Sequence, residues 1–102
     1  EVSEFTKTDL QEEFLGDFSA PFVKDAKIRL GCTFLNEYEI KENDTLLLVS
    51  QVDHLYVADQ EILQTDGWLK LQNADTVTIN GLDGYAKTAL IDRYPYARPK
   101  KE

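Results

Sequence analysis

The chain has 102 residues, 42% of them hydrophobic, and a formal net charge of −8 at pH 7. This length suits one domain, and so acidic a chain repels phosphate backbones and anionic lipids, which argues against nucleic acid and membrane partners. The charge is uneven: residues 1–79 carry six Lys/Arg against sixteen Asp/Glu, whereas residues 80–102 carry five against three. The basic end predicts either a solvated tail or a surface that faces an anionic ligand or an acidic subunit.

The first segment contains a capping-box pattern. Thr8 and Gln11 have the spacing of a helix cap and its reciprocal partner, with acidic residues following, so we expect a short helix from about Asp9 to Leu15 that stops at Gly16. Residues 18–23 are expected to be extended, because the residue before a proline avoids the helical region. This segment is expected to pack against the edge of a core.

Two long apolar runs, residues 26–40 and 45–57, are the central prediction. The first alternates apolar with polar residues, as a half-buried strand does, and its apolar members are Ile28, Leu30, Cys32, Phe34, Tyr38 and Ile40. The second opens with four consecutive apolar residues, 46–49, which suggests a strand covered on both faces. The polar link 41–44 predicts that the runs pair antiparallel at the centre of a sheet.

The one cysteine and the one histidine do not predict a catalytic or metal site. Cys32 is the only cysteine, so no disulfide within the chain is possible, and its strand position predicts a packed, inert thiol. His54 is the only histidine, and without a second histidine or cysteine at ligand spacing we expect it to be structural. No metal site is therefore predicted and no catalytic residue can be assigned. Because no signal peptide or membrane span is evident, the cytoplasm is the expected location.

The second half of the chain is rich in turn signals. Residues 58–64 could form a turn of helix or a loop, Asp66-Gly67 marks a turn, and residues 76–79 should be extended. Residues 80–85 contain two glycines and predict a tight turn with positive φ. Their GxxG pattern also occurs in nucleic-acid-binding loops, but the acidic surroundings disfavour that use. Residues 93–99 alternate aromatic and cationic side chains, and two prolines exclude a continuous helix there.

In order and spacing, these segments resemble the C-terminal half of the flavin reductase-like, FMN-binding split-barrel family, which includes the flavoredoxins. The segments that carry the resemblance are residues 2–5, 20–24, 28–32, 54–57, 67–69, 76–85 and 93–99. The resemblance implies a mainly β fold, part of a split β-barrel of antiparallel strands with short helices. It also implies a homodimer that binds FMN near the subunit interface and accepts electrons from NAD(P)H or another donor.

The resemblance further implies which residues approach the flavin. Gly81 and Gly84 would allow close backbone approach, Tyr85 could stack or donate its hydroxyl, and Arg93 could meet a phosphate or a partner carboxylate. Most flavin contacts in the family come from the N-terminal half, so this chain alone is expected to be inactive. The chain also begins at Glu1 and contains no methionine, which suggests a processed product or part of a longer protein.

Two functions therefore remain open. The first is a portion of an FMN-binding oxidoreductase, with residues 1–102 as one domain that forms the C-terminal half of the flavin-binding unit. The alternative is a non-catalytic acidic β domain that mediates protein–protein contacts.

Overall fold

The computed structural model describes residues 2–99 and contains six strands and three short helical segments in that range. The strands form three separate two-stranded antiparallel sheets, β1–β2, β3–β4 and β5–β6. In chain order the elements are helix α1 (Glu4–Lys7), β1 (Glu12–Glu13), β2 (Phe22–Val23), β3 (Ile28–Ile40), β4 (Thr45–Val57), the 3-10 turns Gln60–Ile62 and Leu71–Ala74, β5 (Val77–Asn80) and β6 (Gly84–Lys87).

The helix predicted over residues 9–15 is wrong. Ser3 caps α1 instead, accepting a hydrogen bond from the Phe5 backbone N–H at 3.2 Å. The Thr8 hydroxyl donates back to the Glu4 carbonyl at 2.8 Å, so it closes α1 and does not open a second helix. Glu12–Glu13 pair with Phe22–Val23 as a short ladder. Tertiary contacts thus override the local capping pattern.

The predicted β3–β4 hairpin is confirmed. The two strands pair antiparallel from Ile28 opposite Val57 to Ile40 opposite Thr45. In the connecting turn Asp44 adopts φ 56°, and the Thr45 hydroxyl bonds the Asn43 side chain at 2.6 Å. The hairpin does not lie at the centre of a wider sheet, because β3 and β4 pair only with each other among residues 2–99.

Two irregularities decide which side chains share a face of this hairpin. The register shifts between Gly31 and Cys32 and again between Phe34 and Asn36. Because an extra residue reverses the alternation that follows it, Tyr38 and Ile40 lie on the face opposite to Phe34, not on the same face as the sequence period predicted.

We name the two faces after one residue that marks each. The Phe18 face, against which Phe18 packs, contains Arg29, Gly31, Thr33, Asn36, Tyr38, Ile40, Thr45, Leu47, Val49, Gln51, His54 and Tyr56. The Cys32 face contains Ile28, Leu30, Cys32, Phe34, Glu37, Glu39, Leu46, Leu48, Ser50, Val52, Leu55 and Val57.

Within residues 2–99 there are two small packed regions, and the first lies on the Phe18 face around His54 and Tyr56. The Phe18 ring lies 5.2 Å from that of Phe22 and 5.6 Å from that of His54, and the Phe22 ring lies 5.5 Å from that of Tyr56. Arg29 also lies on this face and donates to the Glu13 carboxylate at 2.7 Å. His54, although exposed, is thus part of an aromatic cluster. The second packed region centres on Ile62, which is fully buried.

Most of the remaining apolar surface is open. The accessible surface of the chain is 9388 Å², whereas a compact monomer of 11.7 kDa would expose about 5,900 Å². The radius of gyration is 17.4 Å, against about 13 Å for a compact domain of this length. The expected covering of β4 on both faces is therefore wrong for this chain by itself, and Cys32 is exposed rather than packed.

Substitution of Gly31 tests the packing of the Phe18 face. An added Cβ would lie 3.1 Å from the Phe18 ring and 3.2 Å from the His54 Cβ, which leaves no room for further methyl groups, so Gly31→Val should lower the free energy of unfolding by about 1–3 kcal/mol. Ser50→Ala, on the exposed Cys32 face, is the matched control and should change it by less than about 0.5 kcal/mol. Urea denaturation followed by circular dichroism measures both. Equal midpoints for the two variants would contradict this packing.

Candidate functional site

The β5–β6 hairpin presents three of the four predicted site residues. Asn80 pairs with Gly84 and Ile79 with Tyr85, which leaves residues 81–83 as the connecting loop. Gly81 has φ 72°, so the predicted positive-φ turn is confirmed there. A Cβ on Gly84 would lie 2.7 Å from the Asn80 carbonyl oxygen, so the hairpin closes this tightly only with glycine at that position.

Tyr85 forms an exposed apolar ledge on this hairpin. Its side chain is 71% exposed and lies directly across the strand pair from Ile79, which is 62% exposed. Directly opposed residues share a face of an antiparallel ladder. The ledge therefore offers a flat aromatic surface and a free hydroxyl, which suits contact with another planar group.

Arg93 lies in a different cluster, formed with Asp66 and Trp68. Its guanidinium donates to Asp66 Oδ2 at 2.6 Å and stacks 4.4 Å from the centre of the Trp68 ring. The other carboxylate oxygen, Oδ1, accepts the Trp68 backbone N–H at 3.2 Å. The turn that brings Asp66 and Trp68 together uses Gly67 at φ 88°. We call these three residues the Asp66–Trp68–Arg93 cluster.

The positive charge of Arg93 is neutralised within the cluster by Asp66. The pKa of Asp66 is held below its ordinary value, mainly by the hydrogen bond from Arg93 and to a lesser extent by the hydrogen bond from the Trp68 backbone. The guanidinium is already neutralised by one carboxylate, so its capacity to bind a second anion is reduced. Arg93 is therefore better placed to hold Trp68 than to act as a free phosphate ligand.

An apolar groove begins at Trp68. It has a volume of about 210 Å³ and lies between residues 68–72 and residues 88–90, the stretch that follows β6. Trp68 thus belongs both to the wall of the groove and to the Arg93 cluster. Sequence reasoning did not identify Asp66, Trp68 or this groove as a site. The only available signals were the Asp66-Gly67 turn and the single tryptophan.

The structure does not join the four predicted residues into one pocket. Gly81, Gly84 and Tyr85 share one hairpin, but among residues 2–99 no hydrogen bond or ring contact connects Tyr85 to Arg93. In the same range no group of three or more potential metal ligands lies together. None of the helices described between Val2 and Pro99 is long and apolar enough to cross a membrane.

No family model matches the sequence, and no curated protein does. A crystal structure from Shewanella frigidimarina NCIMB 400, provisionally described as a flavin reductase with a split barrel domain, matches with a TM-score of 0.86 and 38% sequence identity. The match covers 94% of this chain and 48% of the other, so this chain spans about half the length of that protein. The resemblance seen in the sequence and the fold class it implies are both confirmed.

Acidification should disrupt the Asp66–Trp68–Arg93 cluster only below the ordinary carboxyl range. The pKa of Asp66 is lower in the folded chain than in the unfolded chain. The contact therefore stabilises the fold fully at pH values above the unfolded-state pKa of Asp66, and this stabilisation is lost as the pH falls through the folded-state pKa of Asp66. Trp68 is the only tryptophan, so its fluorescence should stay constant down to about pH 4 and change below it.

Asp66→Asn provides the control for that titration. It removes the titrating group while keeping the shape of the side chain, so the acid change in Trp68 fluorescence should disappear. An acid transition of the same midpoint and amplitude in Asp66→Asn would show that another group controls the tryptophan.

Proposed function

We propose that this chain, which is similar in sequence and fold to about half of a flavin reductase-like split-barrel protein, is the C-terminal half of an FMN-binding oxidoreductase. In this proposal residues 1–102 form one domain that completes its barrel with an N-terminal half, and the whole protein is a cytoplasmic homodimer. Electrons pass from NAD(P)H or another donor through the bound flavin. The observation that carries the proposal is the 38% identity over 94% of the chain to a split-barrel protein about twice as long.

The open surface of the chain supports a missing half. The Cys32 face exposes Leu30, Phe34, Leu48 and Val52 by 52%, 58%, 60% and 53%. A bare apolar face of this size would aggregate in water, so it requires a cover. A second β-rich half-barrel supplies a cover of the right kind, because two β layers pack with their apolar faces together.

The β5–β6 ledge suits the flavin ring. Nothing lies within 4 Å of a Cβ built on Gly81, so the backbone there is open to close approach. Tyr85 offers a ring for stacking and a hydroxyl for a hydrogen bond. The flavin supplies the electron transfer when bound, and the protein's part is to hold and orient it.

The phosphate of FMN is less well served by this chain. Arg93 is paired with Asp66, and the net charge of −8 opposes the approach of an anion. We therefore assign most of the phosphate contacts to the N-terminal half and expect this chain alone to be inactive. Arg93 would contribute by fixing Trp68, or by sharing its guanidinium between Asp66 and the phosphate.

The alternative is an acidic β domain that only mediates protein contacts. The exposed apolar faces of β3 and β4 favour it as well, because they require a partner whether or not a flavin is bound. The two functions differ in what Tyr85 does. In a contact domain Tyr85 has no effect on flavin, whereas in the oxidoreductase it lies against the cofactor.

An FMN titration of the protein carrying both halves tests the proposal. Saturable quenching of flavin fluorescence is expected, and Tyr85→Ala should raise the dissociation constant by about fivefold, since stacking contacts are worth about 1 kcal/mol. Tyr85→Phe keeps the ring and should lose less affinity. Thr78→Ala, on the opposite face of the same hairpin, is the matched control and should bind as the parent does.

Two outcomes would contradict the proposal. One is a folded two-half protein that does not quench FMN fluorescence. The other is quenching that Tyr85→Ala and Thr78→Ala weaken equally, which would remove the β5–β6 ledge from the flavin site.

A further inference from the structure

A second cavity lies beside the apolar groove at Trp68. It has a volume of about 130 Å³ and is lined by Gln72, residues 75–77 and residues 87–88. Gln72 and Thr88 also line the apolar groove of about 210 Å³, so the two cavities form one continuous depression. Together they exceed about 300 Å³, the lower end of the size range of small-molecule sites. We call the second cavity the polar pocket.

Both walls of this depression are held in place by the fold. On one side the Lys70 backbone N–H donates to the Ile62 carbonyl at 2.7 Å, and Ile62 is fully buried. The two sides are joined by the Thr76 hydroxyl, which donates to the Leu71 carbonyl at 3.0 Å and lies 3.4 Å from the Thr88 hydroxyl. Walls that are already fixed lose little conformational entropy when a ligand binds.

The polar pocket contains donors that the chain does not use. The Gln72 amide, the Lys87 ammonium and the Thr88 hydroxyl all belong to residues that line it. Among residues 2–99 the Gln72 side chain makes no hydrogen bond and Lys87 forms no ion pair. Donors of these three kinds suit an anionic oxygen group.

Asp75 also lines the polar pocket, but its charge is already neutralised. The Lys27 ammonium donates to Asp75 Oδ2. The pKa of Asp75 is held below its ordinary value, mainly by the hydrogen bond from Lys27 and least by the charge of Lys87. Two lysines beside one carboxylate leave one positive charge in excess. That charge matches a group with a single negative charge, such as a carboxylate.

Lys87 is therefore the cation of the basic end that is placed to face an anion. Arg93 is paired with Asp66 and lies 4.4 Å from the centre of the Trp68 ring. Arg98 stacks 5.2 Å from the centre of the Tyr96 ring. Lys87 lines a cavity and has no carboxylate bonded to it in the described part of the chain.

We propose that the depression binds a small carboxylic acid with an apolar or aromatic body. The body lies in the apolar groove, where Trp68 and Leu90 form part of the wall. The carboxylate lies in the polar pocket and accepts hydrogen bonds from Lys87, Gln72 and Thr88. The Trp68 ring, which Arg93 holds, is available to stack on a flat ligand.

The site goes beyond the proposed function, because no flavin takes part in it. Its position is nevertheless related to the β5–β6 ledge. Lys87 and Tyr85 are two residues apart on β6 and so lie on one face of the hairpin. The bound acid would lie beside the proposed flavin surface, as a substrate must. Its role as a substrate rests on the proposed function, whereas its binding does not.

A benzoate titration of the FMN-free protein carrying both halves tests the site. Tryptophan fluorescence should change saturably with a dissociation constant of about 1 mM or lower. The change should disappear in Trp68→Phe, which assigns the signal to this depression. Benzamide has the same shape without the charge and should bind about tenfold more weakly.

Substitution of Lys87 tests the polar pocket. Lys87→Gln should raise the dissociation constant of benzoate by about tenfold and change that of benzamide by less than about twofold, because only benzoate carries the charge. Lys87→Arg keeps the charge and should retain most of the affinity. Lys41→Gln makes the same charge change in the β3–β4 turn and is the matched control.

Substitution of Leu90 tests the apolar groove. Leu90→Ser should weaken benzoate and benzamide alike, because both ligands lose the same apolar contact. Leu82→Ser, in the β5–β6 loop, is the matched control, since Leu82 is 99% exposed and lines neither cavity. Far-UV circular dichroism verifies that each variant is folded.

Four results would each overturn the proposal. They are a folded protein that does not bind benzoate, equal affinities for benzoate and benzamide, a Lys87→Gln variant that behaves as Lys41→Gln does, and a Leu90→Ser variant that behaves as Leu82→Ser does. Because FMN is left out, failure of the flavin proposal leaves these results unchanged.

Discussion

The antiparallel pairing of β3 with β4 is the interaction on which the rest of the structure depends. It holds thirteen residues of each strand in one arm and so determines which side chains reach which partner. Phe18 and Phe22 pack against the end that carries His54 and Tyr56, whereas residues 38–47 at the other end are left exposed by the described part of the chain. The two register shifts matter as much as the pairing, since the one after Phe34 transfers Tyr38 and Ile40 to the Phe18 face.

The exposed apolar surfaces of the chain lie on different elements and suit different partners. The Cys32 face is the surface that we propose a second half-barrel covers, and the β5–β6 ledge is the surface that we propose contacts the flavin ring. The chain is acidic except near its end, so its cations at Arg93 and Arg98 act locally. Arg93 is held by Asp66 and Trp68, whereas Arg98 stacks on the exposed Tyr96 ring. A flavin site near a subunit interface would require these surfaces to be completed together.

The sequence predicted the features that are encoded locally. Alternation of apolar and polar residues identified the β3–β4 pair, and the glycines at 81 and 84 identified the tight β5–β6 turn. It failed at residues 9–15, where the capping pattern was overridden by pairing of Glu12–Glu13 with β2 and by the bond from Arg29 to Glu13. It also missed the partner of Arg93, because Asp66 lies 27 residues earlier in the chain and no local pattern links the two. The expected burial of Cys32 and β4 was wrong, because an apolar pattern predicts that a face needs a cover but the described residues 2–99 supply none there.

Thiol labelling of Cys32 tests the half-barrel account most directly. Cys32 is the only cysteine of this chain and is exposed on the face assigned to the second half. In the isolated chain Cys32 should react with a thiol reagent as fast as a free cysteine does. In the folded protein that carries both halves it should react at least about a hundredfold more slowly, since buried thiols are inert. Peptide mass spectrometry assigns the label to this residue, and equal rates in the two proteins would contradict the account.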